Sequence, residues 1–263
     1  MDPPRGDQMT ENKKTEVTFW QHLTELLDRL RIILYSLIIS TIIVMGVPLN
    51  FSSSNPFYTT ITSFVIKNLQ ERFLIENVEL LPVSLIAPLE VYVQISFILG
   101  IILSLPVISY ELYKFFNPAL YKSEKKSISL FVLSFVGLYL FGLVLGYFYI
   151  VPITIRTFFS FSGLLFLPPI YNFAEFFSVV GMTLLTSGLI FTIPLYLIIL
   201  VKTGIIRTDQ IRKNRKYLYG GLVILIAIID PEPGLVTEFL VFLPILILME
   251  ISILIAKRME KTS

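Results

Sequence analysis

Two carboxylates stand where they could receive a cation. Glu25 lies in Trp20-Gln21-His22-Leu23-Thr24-Glu25-Leu26, and Glu124 closes Phe115-Phe116-Asn117-Pro118-Ala119-Leu120-Tyr121-Lys122-Ser123-Glu124, just ahead of Lys125-Lys126. Glu25 has Arg29 one helical turn later, which permits two readings. It is an i,i+4 surface pair worth a few tenths of a kcal/mol, or a receiver for an incoming cation. Glu124 is either a solvated charge beside a membrane or a carboxylate presented by a stiff loop. Phe115, Phe116, Pro118 and Tyr121 would stiffen that loop, and a fixed carboxylate suits the planar, bidentate guanidinium better than an ammonium. Glu90, Gln94, Glu238 and Glu250 lie in or near apolar runs, where ionisable groups are expensive and often functional. Glu90 and Glu238 sit near the ends of such runs, so an interfacial place is equally open. Glu250 has Lys257 and Arg258 within two turns, so pairing, snorkelling and function all remain open.

Other chemistry is excluded by composition. There is no cysteine and a single histidine, His22. Disulfides, thiolate metal sites, a Cys nucleophile and a His cluster are therefore out of reach, and no cofactor or metal is expected. Of 263 residues, 55% are hydrophobic and 15% charged, against about 25% charged in soluble domains. The mean hydropathy is +0.78. This is the composition of a polytopic membrane protein.

The elements that must position these carboxylates follow in chain order. Residues 1–17 are polar and read as a disordered tail. Thr18-x-x-Gln21 is a capping-box pattern that opens an amphipathic helix, with Phe19, Trp20, Leu23, Leu26, Leu27 and Leu30 on one face. Such a helix is predicted to lie along the membrane surface, with Trp20 at headgroup level. Six apolar spans follow, at about 32–49, 89–109, 127–151, 176–201, 217–229 and 235–256, since roughly 20 apolar residues cross a ~30 Å core. A further amphipathic helix is predicted within 57–73, and Pro152 is predicted to begin a mixed segment. Pro194, inside the fourth span, frees one carbonyl and favours a kink. The fifth span has only 13 residues, about 20 Å of helix. Either Lys216 and Tyr217 snorkel at its end, or the bilayer thins beside it. The membrane domain is thus 18–257, with a short tail at 258–263.

With both termini on one side, residues 1–31, 110–126, 201–216 and 257–263 hold 5, 4, 6 and 3 Lys+Arg, so 18 of 21 share one face. The positive-inside rule makes that face cytoplasmic.

These residues resemble the TatC family, the receptor subunit of the twin-arginine protein translocase. His22-Leu23-x-Glu25-Leu26 is similar to the family's H-L-x-E-L-R-x-R signature. Leu105-Pro106-x-x-x-Tyr110 through Phe115-x-x-Pro118-Ala119-Leu120-Tyr121-x-x-Glu124-Lys125 resembles its first cytoplasmic loop, and this is the most specific match. Phe191-x-x-Pro194, Asp209-x-x-Arg212-Lys213-x-Arg215-x-Tyr217, and Pro244 six residues before Glu250 resemble later parts. Leu27 stands where the signature has Arg, while Arg29 keeps its second basic position. Thr192 stands where many members have an intramembrane Glu. Asp230-Pro231-Glu232-Pro233 replaces a T-P-x-D turn, and Glu238 replaces a common Gln.

The resemblance implies an all-α, glove-like concave bundle of six transmembrane helices with short fifth and sixth spans. It implies a receptor, not an enzyme, that binds Arg-Arg signal peptides of folded precursors and organises transport driven by the proton gradient. The implied signal-peptide residues are Glu25, Glu124, Phe115, Pro118 and Tyr121. Contacts to partner subunits are implied at Pro231, Glu232, Glu238 and Glu250. Implied partners are the small single-span Tat subunits, other copies of the chain and membrane lipids, with no nucleic acid. The location is the plasma membrane of a prokaryote, or an organellar membrane. A small secondary transporter would need inverted repeats and a polar midplane site, and none is evident in the sequence. A scaffold without signal-peptide specificity is the other alternative.

Overall fold

The computed structural model describes residues 6–49, 59–74, 78–116, 125–202, 204–229 and 235–260. Nine α-helices occur among them: α1 (Gly6–Gly46), α2 (Ile61–Phe73), α3 (Ala87–Phe116), α4 (Lys125–Leu145), α5 (Val151–Leu164), α6 (Phe173–Lys202), α7 (Thr208–Lys213), α8 (Arg215–Ile229) and α9 (Leu235–Glu260). Two three-residue strands, β1 (Glu79–Leu81) and β2 (Ile170–Asn172), pair in parallel with Leu80 opposite Tyr171. Four stretches are long and apolar enough to cross a membrane: Leu23–Gly46, Ala87–Phe115, Ile128–Leu164 and Phe173–Lys202.

Helix boundaries depart from the sequence expectation in three places. The surface helix expected from Thr18 and the span expected from Ile32 are one rod, α1, whose interior holds no Gly or Pro to break it. The rod begins at Gly6, within the stretch 1–17 read above as a tail. Helix α3 passes through Pro106 and continues to Phe116, because a freed carbonyl in a membrane helix can be satisfied by neighbours or local adjustment. Pro152 begins no separate segment. A π-helical turn over Gly146–Ile150 joins α4 to α5, with the Val151 N–H donating to the Gly146 carbonyl, and Pro152 sits in the first turn of α5, where its missing N–H does little harm. The parallel strand pair has no counterpart in an all-α expectation. Helix α2 starts at Ile61, capped by the Thr60 hydroxyl accepting from the Ser63 N–H, as the cap preference requires.

Contacts fix the helix directions. Arg29 meets Glu111 and the Tyr92 hydroxyl donates to the Met45 carbonyl at 2.7 Å, so α1 and α3 are antiparallel. That second bond satisfies a carbonyl orphaned at the end of α1. Gln94 donates to Ser178 and Ile98 lies over Gly181, so α3 and α6 run parallel. Helix α4 runs antiparallel to the C-terminal half of α6, with Phe135 against Tyr196 and the Tyr139 ring on Gly188. Small residues at such crossings let membrane helices approach closely.

Three apolar clusters result. One joins α2, α3, α5 and α6 through Leu69, Phe73, Val91, Ile155 and Phe177. Another joins α3, α4 and α6 through Leu105, Tyr113, Phe135 and Tyr139. The last joins α6 to α8 and α9 through Phe191, Ile226, Ile245 and Met249. Much of α1 stays exposed, with Leu34, Ile38 and Ile42 each around half accessible, as a lipid-facing helix requires.

Candidate functional site

Helical geometry builds the site from α1. Glu25 and Arg29 are one turn apart, so their side chains share a face, and the Arg29 Nη2 donates to Glu25 Oε1. The α3 helix adds a second acid. Its residues Gly100, Ser104 and Glu111 are spaced by four and seven and so fall on one side of the helix. Gly100 meets Thr41 of α1, and Glu111 Oε2 accepts from Arg29 Nη1 at 3.3 Å. Lys114 Nζ lies 3.9 Å from the other Glu111 oxygen and 4.2 Å from the Tyr110 ring centroid.

Burial is graded across this group. The Glu111 side chain is 6% exposed, Arg29 17% and Glu25 39%. A buried carboxylate is tolerated only when paired, and Arg29 supplies the partner. The outer acid keeps a wet side. Arg31 and Asp28 form a separate, fully surface pair at 3.6 Å, which contributes little. The arrangement holds a guanidinium between two carboxylates, where the C-terminal end of α3 meets the middle of α1.

Of the two readings of Glu25, the bland one is incomplete, because Arg29 bridges to a second helix. Glu111 escaped sequence analysis. Its three-turn spacing from Gly100 was the available signal, but an acid between Tyr110 and Lys114 reads as an ordinary interfacial charge. Phe115 is half-buried near the end of α3. Glu124, Pro118, Tyr121, Pro231 and Glu232 lie outside the described residues.

The other singled-out groups are distributed elsewhere. Glu90 is exposed in the first turn of α3, a favourable place for an anion beside the helix dipole. Gln94 ties α3 to α6, as above. Glu238 lines a cavity of about 190 Å³ between α8 and α9, with Val223, Ile226, Phe239 and Phe242. Glu250 is paired, but across helices: Arg215 Nη1 of α8 lies 3.1 Å from it and the Tyr219 hydroxyl donates to it. Thr192 is buried, and its hydroxyl donates to the Leu189 carbonyl at 2.7 Å. It bonds its own helix there and offers no ionisable group. Among the described residues no cluster of His, Asp or Glu could hold a metal ion.

Comparison with known proteins agrees with this geometry. Residues 21–244 match the family described as "Sec-independent protein translocase protein (TatC)". The chain is 32% identical to the TatCy protein of Bacillus subtilis over 249 residues, covering 95% of this chain and 92% of that one. It is 32% identical to TatC of Aquifex aeolicus, covering 89% and 94%. Among solved structures, a crystal structure of the twin-arginine translocase receptor TatC matches with a TM-score of 0.71 and 29% identity, over 90% of this chain and 99% of that chain. The family match, the relatives and the shared fold together make this chain a member of the TatC family, a component of a Sec-independent protein translocase.

Proposed function

We propose that the chain is a membrane receptor that binds the Arg-Arg signal peptides of folded precursors and organises their transport, driven by the proton-motive force. The observation that carries this reading is the bound guanidinium itself. Glu25 already accepts one from Arg29, and keeps a side open to solvent. Glu124 is the second receiver, and Phe115, Pro118 and Tyr121 are the further signal-peptide residues. Two separated carboxylates give two incoming guanidiniums one partner each on a face that is otherwise basic.

In this reading α8 and α9 join the four long apolar stretches to make six spans in a glove-like concave bundle. Both termini and the site face the cytoplasm of a prokaryotic cell, because 18 of 21 Lys+Arg lie on that side. The small single-span subunits dock near Pro231, Glu232, Glu238 and Glu250, and copies of the chain associate with one another. The chain acts by binding and placement, with no catalytic step.

Site-specific photocrosslinking of a precursor at matched expression tests the proposal. A charge-assisted hydrogen bond contributes roughly 1.5–3 kcal/mol, and ~1.4 kcal/mol is tenfold. Glu25→Gln and Glu124→Gln should each weaken crosslinking to an Arg-Arg signal about tenfold, and Glu124→Asp should be partly active. Undiminished crosslinking by Glu124→Gln would remove Glu124 as an arginine receiver.

A further inference from the structure

We infer that Arg29 is an internal guanidinium that occupies Glu25 until a signal-peptide arginine displaces it, and that Glu111 is the positioning residue that retains Arg29 during the exchange. This rests on the reading of Glu25 as a signal-peptide carboxylate.

The geometry of Arg29 carries the inference. A guanidinium gripping one carboxylate presents two parallel N–H groups. Arg29 instead splits them, Nη2 to Glu25 and Nη1 to Glu111 at 3.3 Å. Its Nε is buried and has no acceptor among the described residues. Arg29 therefore grips each acid through one terminal nitrogen. An incoming arginine that offers Glu25 a full fork has the better contact, so it can replace Arg29 there.

Burial decides which contact breaks. Glu25 is 39% exposed, and water or a new cation can replace a lost partner. Glu111 is 6% exposed, and an unpaired charge there is strongly unfavourable. Lys114, at 3.9 Å and half-exposed, is too far for a close charge-assisted bond. Arg29 therefore stays with Glu111 while Glu25 is released. The same competition gives specificity. An incoming lysine offers one point charge in place of a fork, so it displaces a resident guanidinium poorly. Arg29 thereby raises the preference for Arg-Arg over Lys-Lys.

The test uses the purified full-length chain in nanodiscs and fluorescent signal peptides carrying Arg-Arg or Lys-Lys, read by anisotropy. In Glu111→Gln, Arg29 is no longer divided and turns wholly to Glu25. Arg-Arg affinity should fall about tenfold. In Glu111→Gln/Arg29→Gln, no resident guanidinium competes for Glu25, so affinity should return to within about threefold of the parent, with a smaller Arg-Arg to Lys-Lys ratio. Neutralising a merely structural buried pair would also relieve the charge left unpaired, but it would leave the Arg-Arg to Lys-Lys ratio at the parent's value, and that outcome overturns the inference. Parent-like affinity in Glu111→Gln, or a double variant as weak as the single one, overturns the inference while Glu25→Gln still binds poorly. Parent-like binding by Glu25→Gln overturns the reading of the site, and the inference with it. If Glu111→Gln does not fold, Arg29→Lys decides: the cation stays for Glu111 but the fork is gone, so the Arg-Arg to Lys-Lys ratio should drop about threefold or more. An unchanged ratio overturns the inference.

Discussion

Replacing Gly188 by Ala tests whether close approach of α4 and α6 holds the centre of the bundle. A Cβ at Gly188 would lie 2.6 Å from Tyr139 Cζ and 2.8 Å from both Cε atoms. Carbon atoms prefer ~3.5 Å or more, so the ring or the helix must give by roughly 1 Å. Little room exists for that. Tyr139 is fully buried, and one turn away Gly142 is equally tight against the Ser187 carbonyl and Phe191. Overpacking of this kind costs about 1–3 kcal/mol. Alanine returns part of it, since glycine in a helix is about 1 kcal/mol less favourable. The net loss should be at most about 2 kcal/mol, and at ~2–4 °C per kcal/mol for a chain of this size the midpoint should fall by no more than about 8 °C. The assay is size-exclusion recovery after heating in detergent, for parent, Gly188→Ala, Tyr139→Ala and the double variant. With the ring removed, Gly188→Ala should be neutral or stabilising, a coupling of about 1–3 kcal/mol between the two sites. An equal effect of Gly188→Ala in both backgrounds would refute the packing argument.

Three other expectations follow from the helix ends. Cysteines at Ser54, Asn172 and Gly234 should label from outside sealed cells, and ones at Thr10, Ser123 and Thr262 should not; external labelling at Ser123 would end the six-span arrangement. Tyr219→Phe removes one bond to a half-exposed Glu250 that keeps Arg215, so stability should fall by only about 1 kcal/mol, read by the same heating assay. The 15 residues of α8 span about 22 Å, short of a ~30 Å core. Four leucines inserted after Leu225 should leave membrane insertion intact and reduce transport further than Tyr219→Phe does, because the insertion also shifts Tyr219 from Glu250; equal transport would make the short helix incidental.

The long apolar stretches were legible in the sequence because a membrane demands them in one uninterrupted piece. Their ends were less so. Pro152 read as the start of a new segment, yet it lies inside a helical path, and α3 runs past the expected end at 109 to Phe116. The β1–β2 pair was invisible, since three residues per strand carry no period and the partners are about ninety positions apart. Glu25 was found through its motif and spacing. Glu111 was not, because its burial depends on Arg29, 82 positions away. For Glu250 the sequence offered Lys257 and Arg258 by proximity alone, whereas the chosen partners come from the neighbouring helix.

The π-helical turn at Gly146–Ile150 makes α4 and α5 two helices with a set phase between them. Ahead of it, Phe135, Tyr139 and Gly142 face α6. Beyond it, Val151 and Ile155 join Leu69 and Phe73 in another cluster. One surplus residue advances a helix by about 100°, so the turn works as a gear between two packing surfaces. Deleting a single residue within it would leave the α4 contacts in place and rotate every α5 side chain a quarter-turn or more out of mesh. The two halves are therefore free to change sequence independently, provided the length of the segment joining them does not change.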